Sequence, residues 1–167
     1  WRLQTGDDHS NGQGKAFASS DTSSQTDKFL MSPEVALANN AELRFWHKHD
    51  FEAGNDYYDG GVLEISTDNG QNWTDLGSAI TQNGYNGTLN GNYGQPLGER
   101  PAFVDNLGTF QQVVVDLSGY ANLSVRFRWR MGTDNSQGAG DWLIDDIEIS
   151  GYRSCVNNDL IFRDGFD

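Results

Sequence analysis

Several things are scarce in this 167-residue chain. It has one cysteine, three prolines and three lysines, and nowhere does it approach the ~18 consecutive apolar residues that a membrane-spanning helix needs. The single Cys155 cannot form an internal disulfide, so cysteine usage says nothing of the redox compartment. The scarcity of lysine contributes to a formal net charge of −13, a field that repels phosphate backbones, and nucleic acid is excluded as an expected partner. No charged-then-apolar leader precedes Trp1, so any signal peptide is expected to have been removed or to lie upstream, and the chain reads as a piece of a larger one. The motifs H-E-x-x-H and G-x-S-x-G are also missing, which removes the common metalloprotease and hydrolase signatures.

What is present is a thin, aromatic core. Leu, Ile, Val and Phe make up 36 of 167 residues, joined by five Trp and six Tyr, in a length that suits one domain. Helical periodicity is almost absent, and the apolar residues alternate in short runs bounded by Gly, Asn, Asp and Ser. The spacing predicts an all-β chain with strands near Trp1–Thr5, Lys15–Ser19, Phe29–Ser32, Glu42–Glu52, Gly61–Thr67, Thr109–Leu117, Ser124–Met131 and Trp142–Tyr152. Eight such strands fit a two-sheet antiparallel β-sandwich, a jelly roll. Leu43, Phe45, His47, His49 and Phe51 fall on one strand face, which is predicted to be core. Val125, Phe127, Trp129 and Met131 repeat the pattern, and Arg126, Arg128 and Arg130 are expected to face carboxylates. The run Leu143-Ile144-Asp145-Asp146-Ile147 breaks its alternation at the Asp pair. Between Gly77 and Gly108 an Asn- and Gly-rich stretch predicts a long loop excursion, either a binding surface or a decorated crossover.

Of the 24 acidic residues 18 are Asp, set in turn-like contexts where hard cations find oxygen ligands. They collect at Asp7 and Asp8, at Glu52, Asp56 and Asp59, and at Asp141, Asp145 and Asp146. Such clusters repel unless neutralised, and calcium is the expected cation; solubility is the alternative for any one of them. His47-x-His49 could begin a zinc site with His9, but the apolar face around the pair favours hydrogen-bonded core histidines. Ser66-Thr67-Asp68-Asn69-Gly70-Gln71-Asn72-Trp73 fits the S-x-D-x-G-x-x-W hairpin pattern and is read as structural. The glycosylation sequons at Asn72, Asn86 and Asn122 arise readily by chance in an Asn-rich chain.

Four segments taken in order resemble a known family: Phe29-Leu30-Met31-Ser32-Pro33; Ala41-Glu42-Leu43-Arg44-Phe45-Trp46-His47; Tyr58-Asp59-Gly60-Gly61-Val62-Leu63-Glu64-Ile65-Ser66; and Gly140-Asp141-Trp142-Leu143-Ile144-Asp145-Asp146-Ile147. Across about residues 1–149 they resemble the MAM-like jelly-roll accessory domains found beside secreted bacterial peptidases of the immune-inhibitor-A metalloprotease type. That resemblance implies a jelly roll without a catalytic metal that holds calcium near the D-G-G turn and the I-D-D-I strand. It carries over to Glu52, Asp59, Asp145 and Asp146, while Asp7, Asp8 and Asp56 are added from clustering. Strand parity keeps Asp145 and Asp146 off one face, and Asp146 is preferred. The tail from Asn158 to Asp167 looks like a short ending on exported proteins of some gammaproteobacteria. It is either an appended element, giving a domain over 1–152 and a tail over 153–167, or an ordinary last strand.

The expected function is a non-catalytic, calcium-stabilised accessory or binding domain at the C-terminus of a secreted bacterial hydrolase, a protease, with no enzyme activity in this fragment. Its expected partners are the parent catalytic domain and a protein or glycan substrate, as a monomer, secreted or at the cell surface. A carbohydrate-binding module is the alternative, using Trp46, Tyr57, Tyr58, Tyr85 and Tyr93 as ligand-binding rings, and a cell-surface adhesion domain is the third.

Overall fold

The computed structural model describes residues 1–10 and 13–155. It contains strands β1 (Arg2–Thr5), β2 (Lys15–Ser20), β3 (Thr26–Met31), β4 (Val35–Asp50), β5 (Gly60–Ser66), β6 (Thr74–Asp75), β7 (Ile80–Gln82), β8 (Gly87–Thr88), β9 (Pro101–Val104), β10 (Asn106–Asp116), β11 (Ser124–Thr133) and β12 (Asp141–Cys155). Single 3-10 turns lie at Gly77–Ala79 and Ser118–Tyr120. All pairings are antiparallel. One sheet runs β1-β2-β12-β4-β10-β7; the other runs β3-β11-β5, with β6 and β9 sharing the far edge of β5 and β8 on β9. The architecture is the expected all-β sandwich. Residues 156–167, most of the expected 153–167 tail, lie outside the described residues; β12 itself pairs on β4 as far as Cys155.

β4 joins the two sheets. Its first residues pair with β11 through Val35↔Val125 and Ala36↔Ser124, and its remainder pairs with β12 and β10. The bend falls at Asn40, whose φ of 57° suits a small polar residue, opposite Gly151 at φ 65°. Any side chain at Gly151 would also meet the Ala41 backbone at 2.8 Å.

The two alternating strands face each other as their patterns require. Leu43, Phe45, His47 and His49 on β4 and Val125, Phe127, Trp129 and Met131 on β11 are buried, and the Phe45 and Trp129 rings meet edge to face at 5.4 Å. Trp142 on β12 crosses the gap and packs against β5, where a Cβ at Gly61 would come within 2.2 Å of its ring. Only glycine admits that approach.

The outward arginines of β11 meet carboxylates. Glu64 is buried on the outer face of β5 and is contacted by Arg100 at 2.8 Å, by Arg128 and by Arg130 at 3.8 Å; Arg130 also holds Asp27 through two 2.8 Å bonds. The Arg128 guanidinium lies 4.9 Å from the Phe29 ring centre and 4.4 Å from that of Trp73. Trp73 ends the S-x-D-x-G-x-x-W turn, which is closed by Ser66 Oγ donating to Asp68 (2.8 Å) and by Trp73 Nε1 donating to Gly70 O (3.0 Å). Hydrogen bonds from Asn72 hold the Asp68 carboxyl down at about 2.

The 77–108 stretch differs from the expected loop. It carries β7, β8 and β9, and its Leu89, Leu97, Ala102 and Val104 cover Val62 in a small second core on the outer face of β5. No period announces this core because its apolar residues come from separate turns.

The two core histidines are held neutral. Burial and the neighbouring His49 push His47 well below the ordinary imidazole value, and burial brings His49 down to about 4. An unfolded chain takes up these protons near pH 6.5 while the folded one refuses them until about 4 at His49, so stability present above pH 6.5 is lost as pH falls through that window. Denaturant unfolding is expected to lose about 3–4 kcal/mol between pH 7 and 5 from the pair. His47 or His49 imidazole proton resonances that titrate near pH 6.5 in the folded protein would overturn this account. Gly61→Ala is expected to cost about 1–3 kcal/mol by overpacking against Trp142, read as a lower urea midpoint with an unchanged slope.

Candidate functional site

Four strand ends, two from each sheet, converge at one end of the sandwich. Asp21 follows β2, Glu52 follows β4, Asp59 precedes β5 and Asp134 follows β11. Backbone hydrogen bonds fix them: Asp21 N donates to Gly140 O (2.8 Å), Gly140 N to Asp50 O (2.8 Å), and Glu52 O accepts from Tyr58 N (3.3 Å) and Asp59 N (3.5 Å). Side chains then lace the ends together. Asp21 accepts from Glu52 N at 2.9 Å, Asp59 from Asp134 N at 2.7 Å, and Ser136 Oγ donates to both Glu52 (3.1 Å) and Asp134 (2.8 Å).

After these bonds, carboxylate oxygens are left over. With the acids ionised, Asp21 Oδ1, Asp59 Oδ2 and Asp134 Oδ2 are buried with no hydrogen-bond donor among the described residues, on residues that are 7%, 0% and 1% exposed. One oxygen each from Glu52, Asp59 and Asp134 lies within 4.8 Å of the others. Burial pushes the Asp59 and Asp21 carboxyls up, and for Asp59 the contact with Asp21 adds to the rise. Buried acceptors that face one another without donors are the chemistry of a hard cation site, and these residues fit calcium by charge and oxygen content.

Of the acids singled out in the sequence, the structure brings Glu52 and Asp59 together and places the others elsewhere. Asp7 pairs with Lys48 at 2.9 Å, and Asp8 accepts from Ser10 Oγ (2.9 Å) and Gly14 N (2.5 Å). Asp56 accepts from Tyr57 N (2.9 Å) and Asn90 Nδ2 (2.5 Å), and Asp141 pairs with Arg2 at 2.6 Å. A β-bulge directly follows Asp145, which still pairs with Trp46: Asp146 and Ile147 stand where β4 offers only Phe45, with Asp146 at φ 44°. The two acids hold the β1–β2 loop, Asp145 accepting from His9 N and Asp146 bonding His9 Nδ1, each at 2.7 Å. Asp21 and Asp134 were not anticipated. Each directly follows a strand, and the available signal was position: an Asp at the end of a strand whose neighbour in the sheet ends in an acid.

The rings divide as well. Trp46 is covered by His9, stacked at 3.6 Å and 14°, and the Tyr85 hydroxyl is tied inward, accepting from Leu63 N at 2.8 Å and donating to Leu63 O at 3.2 Å. His9 takes one face of the Trp46 ring, and Tyr85 packs against both hydrophobic clusters. Tyr58 meets Tyr93 at 6.1 Å, and Tyr93 is 58% exposed. His9 lies on the face of β4 opposite His47 and His49, so the three histidines share no site.

No curated protein matches the chain. Thirteen solved chains do, among them the glycoside hydrolase domain of Endo-D from Streptococcus pneumoniae R6, at 17% identity and a TM-score of 0.48, over 90% of this chain and 20% of that one. This chain thus spans about a fifth of the length of that relative. Residues 6–150 match the family model described as Reelin subrepeat B. The segment resemblance pointed to MAM-like peptidase accessory domains; the match agrees with it in a sandwich-type domain and gives a different family. With 6–150 covering most of its length, the chain belongs to the Reelin subrepeat B family.

Proposed function

We propose that the chain is a non-catalytic extracellular module whose sandwich is completed by one calcium ion, held by Asp21, Glu52, Asp59 and Asp134. It serves as an accessory or binding domain of a larger secreted protein, in which a hydrolase, such as a protease, supplies the catalysis. The observation that carries this reading is the set of buried, donorless oxygens on Asp21, Asp59 and Asp134. Calcium–oxygen distances of about 2.4 Å span about 4.8 Å across the ion, which suits the spread of the Glu52, Asp59 and Asp134 oxygens. Magnesium, at about 2.1 Å, draws its ligands closer and keeps more of its water. The family match supports a module in place of an enzyme.

The ion's role is structural. Without a cation the four carboxyls repel, and protons must neutralise part of the cluster. With calcium they stitch the ends of β2 and β4 in one sheet to β5 and β11 in the other.

A thermal melt in EDTA and in millimolar calcium tests this. At about 100 times its dissociation constant the ion adds about 2.7 kcal/mol, which raises the midpoint by roughly 5–11 °C. An unchanged midpoint overturns the calcium reading, and casein hydrolysis by the isolated chain overturns the non-catalytic one. Asp59→Asn and Asp134→Asn are expected to abolish the calcium increment while leaving the EDTA midpoint equal or higher, since each replaces an acid buried among other acids by a neutral group that needs neither a proton nor a cation. Asp7→Asn and Asp146→Asn are expected to keep the increment in full; its loss in either would place the ion elsewhere.

A further inference from the structure

Glu52 and Asp59 are the two ends of one loop, and the residues between them have a shape of their own. Residues 53–57 fold back so that Ala53 bridges Tyr57, with Gly54 N donating to Asp56 O at 2.9 Å. They leave a shallow depression of about 330 Å³ lined by Ala53, Gly54, Asn55, Asp56, Tyr57 and Asp105.

Three features set this depression apart from an ordinary surface dip. The Tyr57 ring is backed by Gly87, where a Cβ would come within 2.7 Å of it, so the ring is held in place before any ligand arrives. Asp56 is engaged by Tyr57 N and Asn90 and serves to shape the loop. Asp105 is different. Its backbone sits at φ 67°, a conformation that costs free energy for a residue with a side chain, and it is pinned there by His49 Nδ1 (2.9 Å) and Phe51 N (3.1 Å) donating to its carbonyl. Its exposed carboxylate makes no hydrogen bond among the described residues and borders the depression.

We infer that this depression binds a neutral saccharide, with one pyranose ring lying on Tyr57 and hydroxyls donating to the Asp105 carboxylate. A sugar ring offers an apolar C–H face for the part of the Tyr57 ring left open beside the second core and a row of hydroxyl donors for the Asp105 carboxylate, and both residues line the depression. The net charge of −13 disfavours anionic glycans and leaves neutral ones. Tyr58 borders the same loop, its Cε2 3.8 Å from a Cβ position at Gly54, and with the exposed Tyr93 extends the aromatic surface beyond one ring. The site goes beyond the calcium reading and does not require it.

The test is a titration of the isotope-labelled protein, in millimolar calcium, with cellotetraose, xylotetraose, mannotetraose and chitotetraose to about 10 mM, followed by amide resonances. At least one is expected to shift the resonances of residues 53–57 and 105. Asp105→Gly removes the carboxylate where glycine prefers the backbone conformation, so its melting midpoint holds or rises while affinity falls about tenfold or more. Gly54→Gln, which has room at its Cβ, fills the depression and is expected to block binding. If none of the four sugars moves these resonances, or if Asp105→Gly binds as well as the parent, the inference is overturned. A midpoint that still responds to calcium in that case leaves the metal reading standing.

Discussion

Three buried carboxylates and a fourth, half-buried one at one end of the sandwich are the constraint around which the two sheets meet. Like charges out of water repel strongly, so the fold tolerates Asp21, Glu52, Asp59 and Asp134 together only with protons or a cation between them. Every one of these residues ends or begins a strand, and the backbone bonds that align Asp21, Asp50, Glu52 and Gly140 run through the same few residues. The geometry of the strand ends and the neutralisation of their charge are therefore one problem. The nearby loop at residues 53–57 inherits its anchoring from it.

Away from that end, the sandwich depends on close contact between sheets. Trp142 can lie against β5 because Gly61 has no side chain, and Phe45 meets Trp129 across the same gap. The outer face of β5 is covered by a different means. Glu64 there is enclosed by three arginines, and Val62 is capped by apolar residues from the 77–108 insertion, so β5 is buried on both faces although only one belongs to the main core. A buried carboxylate surrounded by guanidinium groups holds the insertion to the sheet through Arg100.

The Asp145-Asp146 break shows how a sequence irregularity gains its meaning from structure. A lapse in alternation signals either chemistry or a change of backbone register. Here it is a bulge that adds one residue, returns Ile147 and Ile149 to the core, and points two carboxylates at His9. The acids were visible in the sequence, but their partner was not, because His9 arrives from more than a hundred residues away.

Sequence alone determined the fold class, the inward faces of β4 and β11, the meeting of Arg126, Arg128 and Arg130 with polar and acidic partners, and the closed turn from Ser66 to Trp73. All of these follow from local rules: side chains alternate with a period of two, and Asp and Gly favour turns wherever they stand. It also picked out Glu52 and Asp59 as acids flanking one loop. Only the tertiary structure decided that Asp21 and Asp134 join them, that Tyr85 and Trp46 are covered while Tyr93 is open, and that the 77–108 stretch builds its own core. Each of those depends on which strand ends and turns become neighbours in space, and contacts between residues tens of positions apart leave no periodic trace in the chain.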